Sequence, residues 1–344
     1  MINSNFTGKM IKPIKSLLSF VNELIVNYRN NLFNEHKIKT YKTVKPMISI
    51  GNLSMGGTGK TPLTIFLCEL IKGLGFNPTV IGLGYKRKSK GLVSIIKDNP
   101  DNTEWNEVGD EMYMIHKKLN VPVYVHEKKY VAALEADNND SDILILDDGY
   151  QHRYLERDLN ILILDYRTFN EPFVAPKGYL REPLIEIKRA DLIFIPDSIH
   201  DVVMLDELDQ DRIIRFNFSN STPYLLDDKS IQLNQDENLL AFCGIANPER
   251  FFRSVTIRGS NLNLAMKFPD HHNYSEFDIN NIISNALDSN VKTLITTEKD
   301  ASKILKFADI LNENDLKCFV MPVDLQITEG FEILVSKIKN LLKK

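Results

Sequence analysis

The stretch from Ser54 through Met55, Gly56, Gly57, Thr58, Gly59 and Lys60 to Thr61 is the part of this sequence best equipped for chemistry. A glycine-rich turn lets successive backbone N–H groups converge on phosphate oxygens, and a helix starting just after it adds the positive end of its dipole. Lys60 can then reach the outer phosphates of a nucleoside triphosphate, and the Thr61 hydroxyl can ligate Mg²⁺. Ser54 occupies the first position of the usual G-x-x-x-x-G-K-[ST] pattern, so this phosphate loop is a variant. Met55 stands where nucleotide-dimerising ATPases carry a second lysine, which weakens that reading. Such a loop also needs an acidic partner. Ile143–Leu146 is an aliphatic run followed by Asp147 and Asp148, which supplies one carboxylate for Mg²⁺ or its water shell and another for the surrounding structure. ATP and Mg²⁺ are the cofactors expected. Asp165, after Ile161–Leu164, is formally similar, and a strand-end cap is as good a reading of it.

The elements that must position these residues alternate short apolar runs with helical patterns, the signature of a parallel α/β sheet with crossover helices. Strands are predicted at 47–50, 79–83, 121–125, 143–146, 161–164 and 192–195, and helices at 61–74, 110–119 and 128–136. From about residue 206 the sequence turns polar and rich in Asn, Asp and Ser. Apolar runs at 239–242, 263–266, 293–296 and 318–321 then suggest a second, smaller α/β unit. The expected organisation is an N-terminal segment over 1–45, a P-loop core over 46–205, a linker ribbon over 206–230 and the smaller domain over 231–344, its last helix free to pack back on the core.

At 344 residues, 43% hydrophobic and 26% charged, the chain is neither a disordered segment nor a small disulfide scaffold. Three scattered cysteines fit a reducing compartment and form no zinc motif. No apolar run approaches the twenty or so residues of a membrane span. The net charge of −4 conceals a basic leader, since residues 1–45 hold eight lysines and arginines against Glu23 and Glu35. Within it Ile11, Ile14, Leu18, Val21, Ile25, Tyr28 and Leu32 recur at helical spacing. This stripe could dock on the protein's own core or lie in a membrane interface with its lysines at anionic headgroups. Nucleic acid is not an expected partner, because the body is acidic and its basic residues lack interleaved aromatics.

A phosphate loop alone does not separate kinases from switches or assembly ATPases. Further motifs do so in combination: Gly56-Gly-Thr-Gly-Lys-Thr-Pro62, Val108-Gly-Asp-Glu111, Leu146-Asp-Asp-Gly-Tyr-Gln-His152, Leu180-Arg-Glu-Pro183, Phe242-Cys-Gly-Ile-Ala-Asn-Pro-Glu-Arg-Phe-Phe252, Asp270-His-His-Asn-Tyr274 and Thr296-Thr-Glu-Lys-Asp-Ala301. Over roughly residues 10–330 this set resembles the tetraacyldisaccharide 4′-kinases of lipid A biosynthesis. The resemblance implies transfer of the ATP γ-phosphoryl group to the 4′-hydroxyl of a glucosamine disaccharide 1-phosphate, at the cytoplasmic face of a bacterial inner membrane. It implies Asp110 as the base, His271 as its favoured partner with the adjacent His272 as the alternative, and Lys60 on the phosphates. Glu111 would be a further carboxylate on the metal side. Tyr85, Arg87 and Arg181 are the candidates for the acceptor, beside Lys86 and Lys88. Leu83 stands where the family usually has arginine, and Ala175-Pro-Lys-Gly178 departs from the usual Leu-Pro-Ala-Gly. A lipid acceptor also favours the membrane reading of the leader, and a monomer is the default expectation. A nucleotide-driven switch, the competing reading, would have no use for a base at Asp110.

Overall fold

The computed structural model describes residues 4–96, 105–200, 208–234, 237–257 and 260–343. They divide into two units, neither continuous in sequence: 1–83 with 121–217 and 325–344, and 84–120 with 218–324. The start of the expected linker, 206–207, lies outside the described residues. Residues 84–120, which the sequence pattern places within the P-loop core, group instead with 218–324.

Numbered along the chain, the strands of the larger unit are β1 (Met47–Gly51), β2 (Pro78–Gly82), β4 (Val123–Val125), β5 (Ile143–Leu146), β6 (Leu159–Ile163), β7 (Leu192–Pro196), β8 (Ile213–Asn220) and β14 (Val323–Glu329). They lie in the order β14-β8-β7-β6-β1-β5-β2-β4, and every neighbouring pair from β8 to β4 is parallel. β1 and β5 are buried from end to end, as strands covered on both faces must be. Their aliphatic composition follows from that position, since each fully buried Ile or Leu contributes about 1.5–3 kcal/mol. β1 is flanked by β5 and β6, in register Ser49 with Leu146 and Gly51 with Leu162. The carboxyl ends of three strands therefore come together, where ligands of α/β sheets bind. Gly51 carries no Cβ because one would lie 2.5 Å from the Tyr150 Cβ.

The helices of this unit are α1 (Ser4–Asn34), α2 (Lys60–Gly73), α5 (Lys129–Ala136), α6 (Tyr166–Asn170) and α11 (Phe331–Leu342). α1 docks by polar contacts. Ser19 Oγ donates to the Val174 carbonyl at 2.5 Å and Asn22 to that of Ala175 at 2.9 Å. Arg29 pairs with the buried Glu182 at 2.8 Å, and Arg153 donates to the Asn30 carbonyl at 3.0 Å. Val26, Asn30 and Phe33 are buried. The apolar stripe does not dock on the core: Ile14, Leu17, Leu18, Phe20, Val21, Leu24, Ile25 and Tyr28 are all exposed.

The smaller unit holds β3 (Val93–Ile95) and a five-stranded sheet of β9 (Tyr224–Leu225), β10 (Asn238–Cys243), β11 (Asn261–Lys267), β12 (Thr293–Thr297) and β13 (Lys317–Met321), in the order β11-β10-β12-β13-β9. All its pairings are parallel except β13 with β9. Its helices are α3 (Trp105–Val108), α4 (Asp110–Leu119), α7 (Pro248–Ile257), α8 (Glu276–Asp288), α9 (Glu298–Ile304) and α10 (Ala308–Glu313). The stretch 84–120 joins this unit because α4 packs on α9 and carries a buried carboxylate whose partners are the His271 imidazole and the Lys303 ammonium.

Candidate active site

The phosphate loop leaves β1 and enters α2 through Gly59, which caps the helix with φ +93°. Gly56 has φ +105°, and a Cβ there would strike the Arg167 guanidinium at 2.2 Å, so both glycines are required by geometry. Ser54 is tolerated at the first pattern position because its backbone does not adopt positive φ; its buried hydroxyl donates to Asp165 at 2.8 Å. Asp165 caps α6 through the Thr168 N–H at 3.1 Å and braces the loop rather than presenting a free carboxylate. Arg167 donates to the Met55 carbonyl at 2.9 Å, and Asn52 donates to Thr58 at 2.9 Å.

At the end of β5, Asp147 is buried and accepts from Thr64 at 2.9 Å. Asp148 takes φ +48°, a costly conformation for a residue other than glycine. The turn is held by Lys129, wholly buried under the sheet end, whose ammonium donates to the Asp147 and Asp148 carbonyls at 2.7 and 2.8 Å. Burial pushes the Lys129 ammonium below its usual range, and Lys60 and Arg181 push the same way against the pull of the two aspartates. Lys60 stands 3.6 Å from Asp148, and Arg181 Nη1 reaches both Asp148 oxygens at 3.0 Å. Burial alone would raise the Asp148 carboxyl. The charges of Lys60, Lys129 and Arg181 outweigh it and bring the group to about 2. One such pair at about 4 Å is worth about 4 kcal/mol at an effective dielectric of 20, which is why several overcome desolvation.

In the smaller unit, Asp110 opens α4 behind Gly109, where a Cβ would meet the Gly84 backbone at 3.0 Å. Asp110 makes no capping bond to its own helix. Its Oδ2 lies 3.1 Å from His271 Nδ1 and 2.5 Å from Lys303 Nζ. Burial would raise this carboxyl, but the hydrogen bonds and charges of His271 and Lys303 hold it below the usual carboxylate range. Lys299 Nζ stands 3.2 Å from His271 Nε2. An ammonium has no lone pair to offer, so Nε2 accepts and the ring proton sits on Nδ1, facing Asp110. His271 adopts φ +63° and packs edge-on against Tyr85, ring centroids 5.0 Å apart. The neighbouring His272 faces Asp278 at 3.1 Å and stacks on Phe268.

A family model described as tetraacyldisaccharide-1-P 4′-kinase matches residues 11–341. The chain belongs to this family. A tetraacyldisaccharide 4′-kinase of Halothermothrix orenii is 32% identical over 93% of this chain and 90% of its own length. That of Bacteroides fragilis is 30% identical over 89% of this chain and 86% of its own length. The crystal structure of LpxK from Aquifex aeolicus in complex with ATP superposes with a TM-score of 0.76 at 31% identity, covering 94% of this chain and 97% of that one. Membership makes the chain a kinase of lipid A biosynthesis with a P-loop fold.

Set against the residues expected for a tetraacyldisaccharide 4′-kinase, the structure groups Ser54–Thr61, Asp147, Asp148 and Arg181 in the larger unit, and Tyr85, Arg87, Asp110, Glu111 and His271 in the smaller. Arg181, proposed from sequence for the acceptor, lies on Asp148 beside Lys60. Arg87 turns into its own loop and donates to the Gly91 carbonyl, whereas Lys86 reaches the Asp270 carbonyl at 3.1 Å. Glu111 faces Lys299 at 3.9 Å. Thr61, Asp147 and Asp148 suit Mg²⁺, which is commonly held by one or two carboxylates together with nucleotide phosphates. Among the described residues no group of three or more His, Cys, Asp or Glu could hold a metal by itself. Sequence reasoning missed Lys129, Lys299 and Lys303. The last two had a signal, being four residues apart on the helix that begins within Thr296-Thr-Glu-Lys-Asp-Ala301.

Proposed function

We propose that this kinase phosphorylates the 4′-hydroxyl of a tetraacyl glucosamine disaccharide 1-phosphate from ATP with Asp110 as general base. The observation carrying this reading is the buried Asp110–His271 contact at 3.1 Å, in which a carboxylate kept anionic meets an imidazole whose proton faces it. A sugar hydroxyl is a weak nucleophile at neutral pH. As its oxygen bonds to the γ-phosphorus, its proton passes to Asp110 and ADP leaves with the electrons of the broken P–O bond. Lys60 and the loop N–H groups neutralise the phosphates, and Mg²⁺, held through Thr61 and Asp147 or Asp148, supplies further charge neutralisation when bound. His271 orients the carboxylate, and Tyr85, packed on His271, and Lys86, at the carbonyl of the preceding Asp270, are available for the sugar or its 1-phosphate. The direct test is transfer from labelled ATP to the tetraacyl disaccharide 1-phosphate in detergent micelles. Label reaching the lipid only when this acceptor is present supports the reading; ATP turnover without lipid labelling favours a nucleotide switch.

The chain works at a membrane surface through α1. Among the described residues no helix is long and apolar enough to cross a membrane. α1 nonetheless presents eight exposed apolar side chains on a helix docked by its other, polar side, an arrangement suited to lying in the interface. Replacing Leu18 and Ile25 by Asp is expected to leave the melting temperature nearly unchanged, since both are exposed, and to lower recovery on anionic lipid vesicles at least tenfold. Equal recovery of variant and wild type in a flotation assay would remove the helix from the membrane contact.

A further inference from the structure

Lys303 has no part in the chemistry assigned so far, yet its side chain is wholly buried. Its ammonium makes three contacts: Asp110 Oδ2 at 2.5 Å, the His272 carbonyl at 3.1 Å, and the face of Trp105, 5.5 Å from the ring centroid. A buried ammonium costs several kcal/mol in lost hydration, and an apolar residue of similar volume commonly serves stability as well or better. The geometry of the pair bears on what this one is for. Lys303 and His271 both address Oδ2 of Asp110, and none of the described contacts uses Oδ1. With two donors on one oxygen the carboxylate cannot turn about its Cβ–Cγ bond, and Oδ1 is left as the acceptor for a third proton. Lys303 also lies one turn along α9 from Lys299, which holds the far nitrogen of His271. One helix thus fixes both members of the pair.

We propose that Lys303 is a positioning residue for phosphoryl transfer, pinning Oδ2 of Asp110 so that Oδ1 faces the acceptor hydroxyl. The inference rests on the reading of Asp110 as the base, and its test separates the two. The test compares wild type, Lys303→Met, Asp110→Asn and the double variant, with kcat and both KM values measured for ATP and the tetraacyl disaccharide 1-phosphate. Emission from Trp105, the one tryptophan of the chain, reports whether the surroundings of Lys303 are intact. Lys303→Met is expected to lower kcat about 10- to 100-fold, the usual effect of removing a group that orients a functional ligand, with both KM values within about threefold. In the Asp110→Asn background the same change is expected to cost less than about twofold, because a residue acting only through Asp110 has nothing left to act on. Lys303→Arg, which keeps the charge, is expected to recover most of the lost rate. An equal loss in both backgrounds would make Lys303 a structural residue and overturn the proposal, as would an unchanged kcat in Lys303→Met. Wild-type turnover in Asp110→Asn would instead remove the base itself, and the proposal with it. If Lys303→Met alters the Trp105 emission, Lys303→Gln, which keeps a donor without the charge, replaces it in the same four-way comparison.

Discussion

Asp110→Asn is expected to lower kcat by about 10²–10⁴-fold, the range that a positioned general base contributes, while leaving ATP affinity within about twofold. The amide keeps an oxygen for Lys303 and His271, so the buried contacts survive, but it cannot take the hydroxyl proton. ATP affinity is spared because the phosphate loop and the Asp147–Asp148 turn draw their described contacts from other residues of their own unit. Equilibrium binding of a non-hydrolysable ATP analogue beside the transfer assay checks both halves. Loss of binding together with rate would turn Asp110 into a structural or metal-side residue. The pH behaviour follows from the direction of its shift. His271 and Lys303 hold the Asp110 carboxyl below its unfolded value of about 3.9. The anion therefore contributes stability that is fully present above that value and is lost as pH falls through the lower, folded one. Melting temperatures of wild type should fall more steeply than those of Asp110→Asn between about pH 4 and pH 2. Activity should show no acid limb from this carboxylate between about pH 5 and pH 7. Parallel melting curves for the two proteins would contradict the shift.

The buried strands of both sheets were legible because they leave continuous aliphatic runs, and Met47–Gly51 and Ile143–Leu146 lie within a residue of their expected limits. By contrast, β3 and β14 were not expected, and β8 and β9 lie in the stretch read as a linker. The phosphate loop was legible for a local reason: its function depends on eight consecutive residues whose backbone geometry glycine alone permits at 56 and 59. The Asp110–His271 contact spans 161 residues, and no periodicity connects its ends. It entered the sequence reading only through resemblance. Lys303 was hidden more thoroughly, since a lysine near the end of a short helix reads as solvated until the fold shows it at zero exposure. The regrouping of 84–120 was hidden too. A β–α–β pattern records the order of elements along the chain, whereas the partner of α4 is fixed by a carboxylate held by an imidazole and an ammonium from distant segments. α1 illustrates the limit of periodicity in another way. Its apolar stripe was visible, but the choice between core and exposure was made by Ser19, Asn22 and Arg29, polar residues that hydrophobic spacing ignores.

Lys60→Met is expected to abolish transfer to within about a thousandth of the wild-type rate while leaving the nucleotide-free protein almost as stable as before. Its surroundings dictate both effects. Three cations, Lys60, Lys129 and Arg181, surround Asp147 and Asp148, so the site carries more positive than negative charge before a polyphosphate arrives. Burial is the main reason that the Lys129 ammonium is depressed, and the charges of Lys60 and Arg181 add to it, so the cations also disfavour one another. Removing Lys60 relieves that repulsion, and Arg181 and Lys129 remain to keep Asp148 paired. No buried carboxylate is stranded, and the nucleotide-free melting temperature should move by no more than about 2 °C, as for substitutions that strand no buried charge. With ATP and Mg²⁺ the outcome reverses. A ligand at one hundred times its dissociation constant stabilises the folded chain by about 2.7 kcal/mol. Wild type should therefore melt several degrees higher with nucleotide, and Lys60→Met should gain little of that increment because the triphosphate has lost its most direct counter-charge. A differential scanning experiment with and without Mg·ATP distinguishes the cases. A variant that loses stability without nucleotide would show Lys60 to be a structural partner of Asp148. Full nucleotide stabilisation with no transfer would confine Lys60 to the moving phosphoryl group.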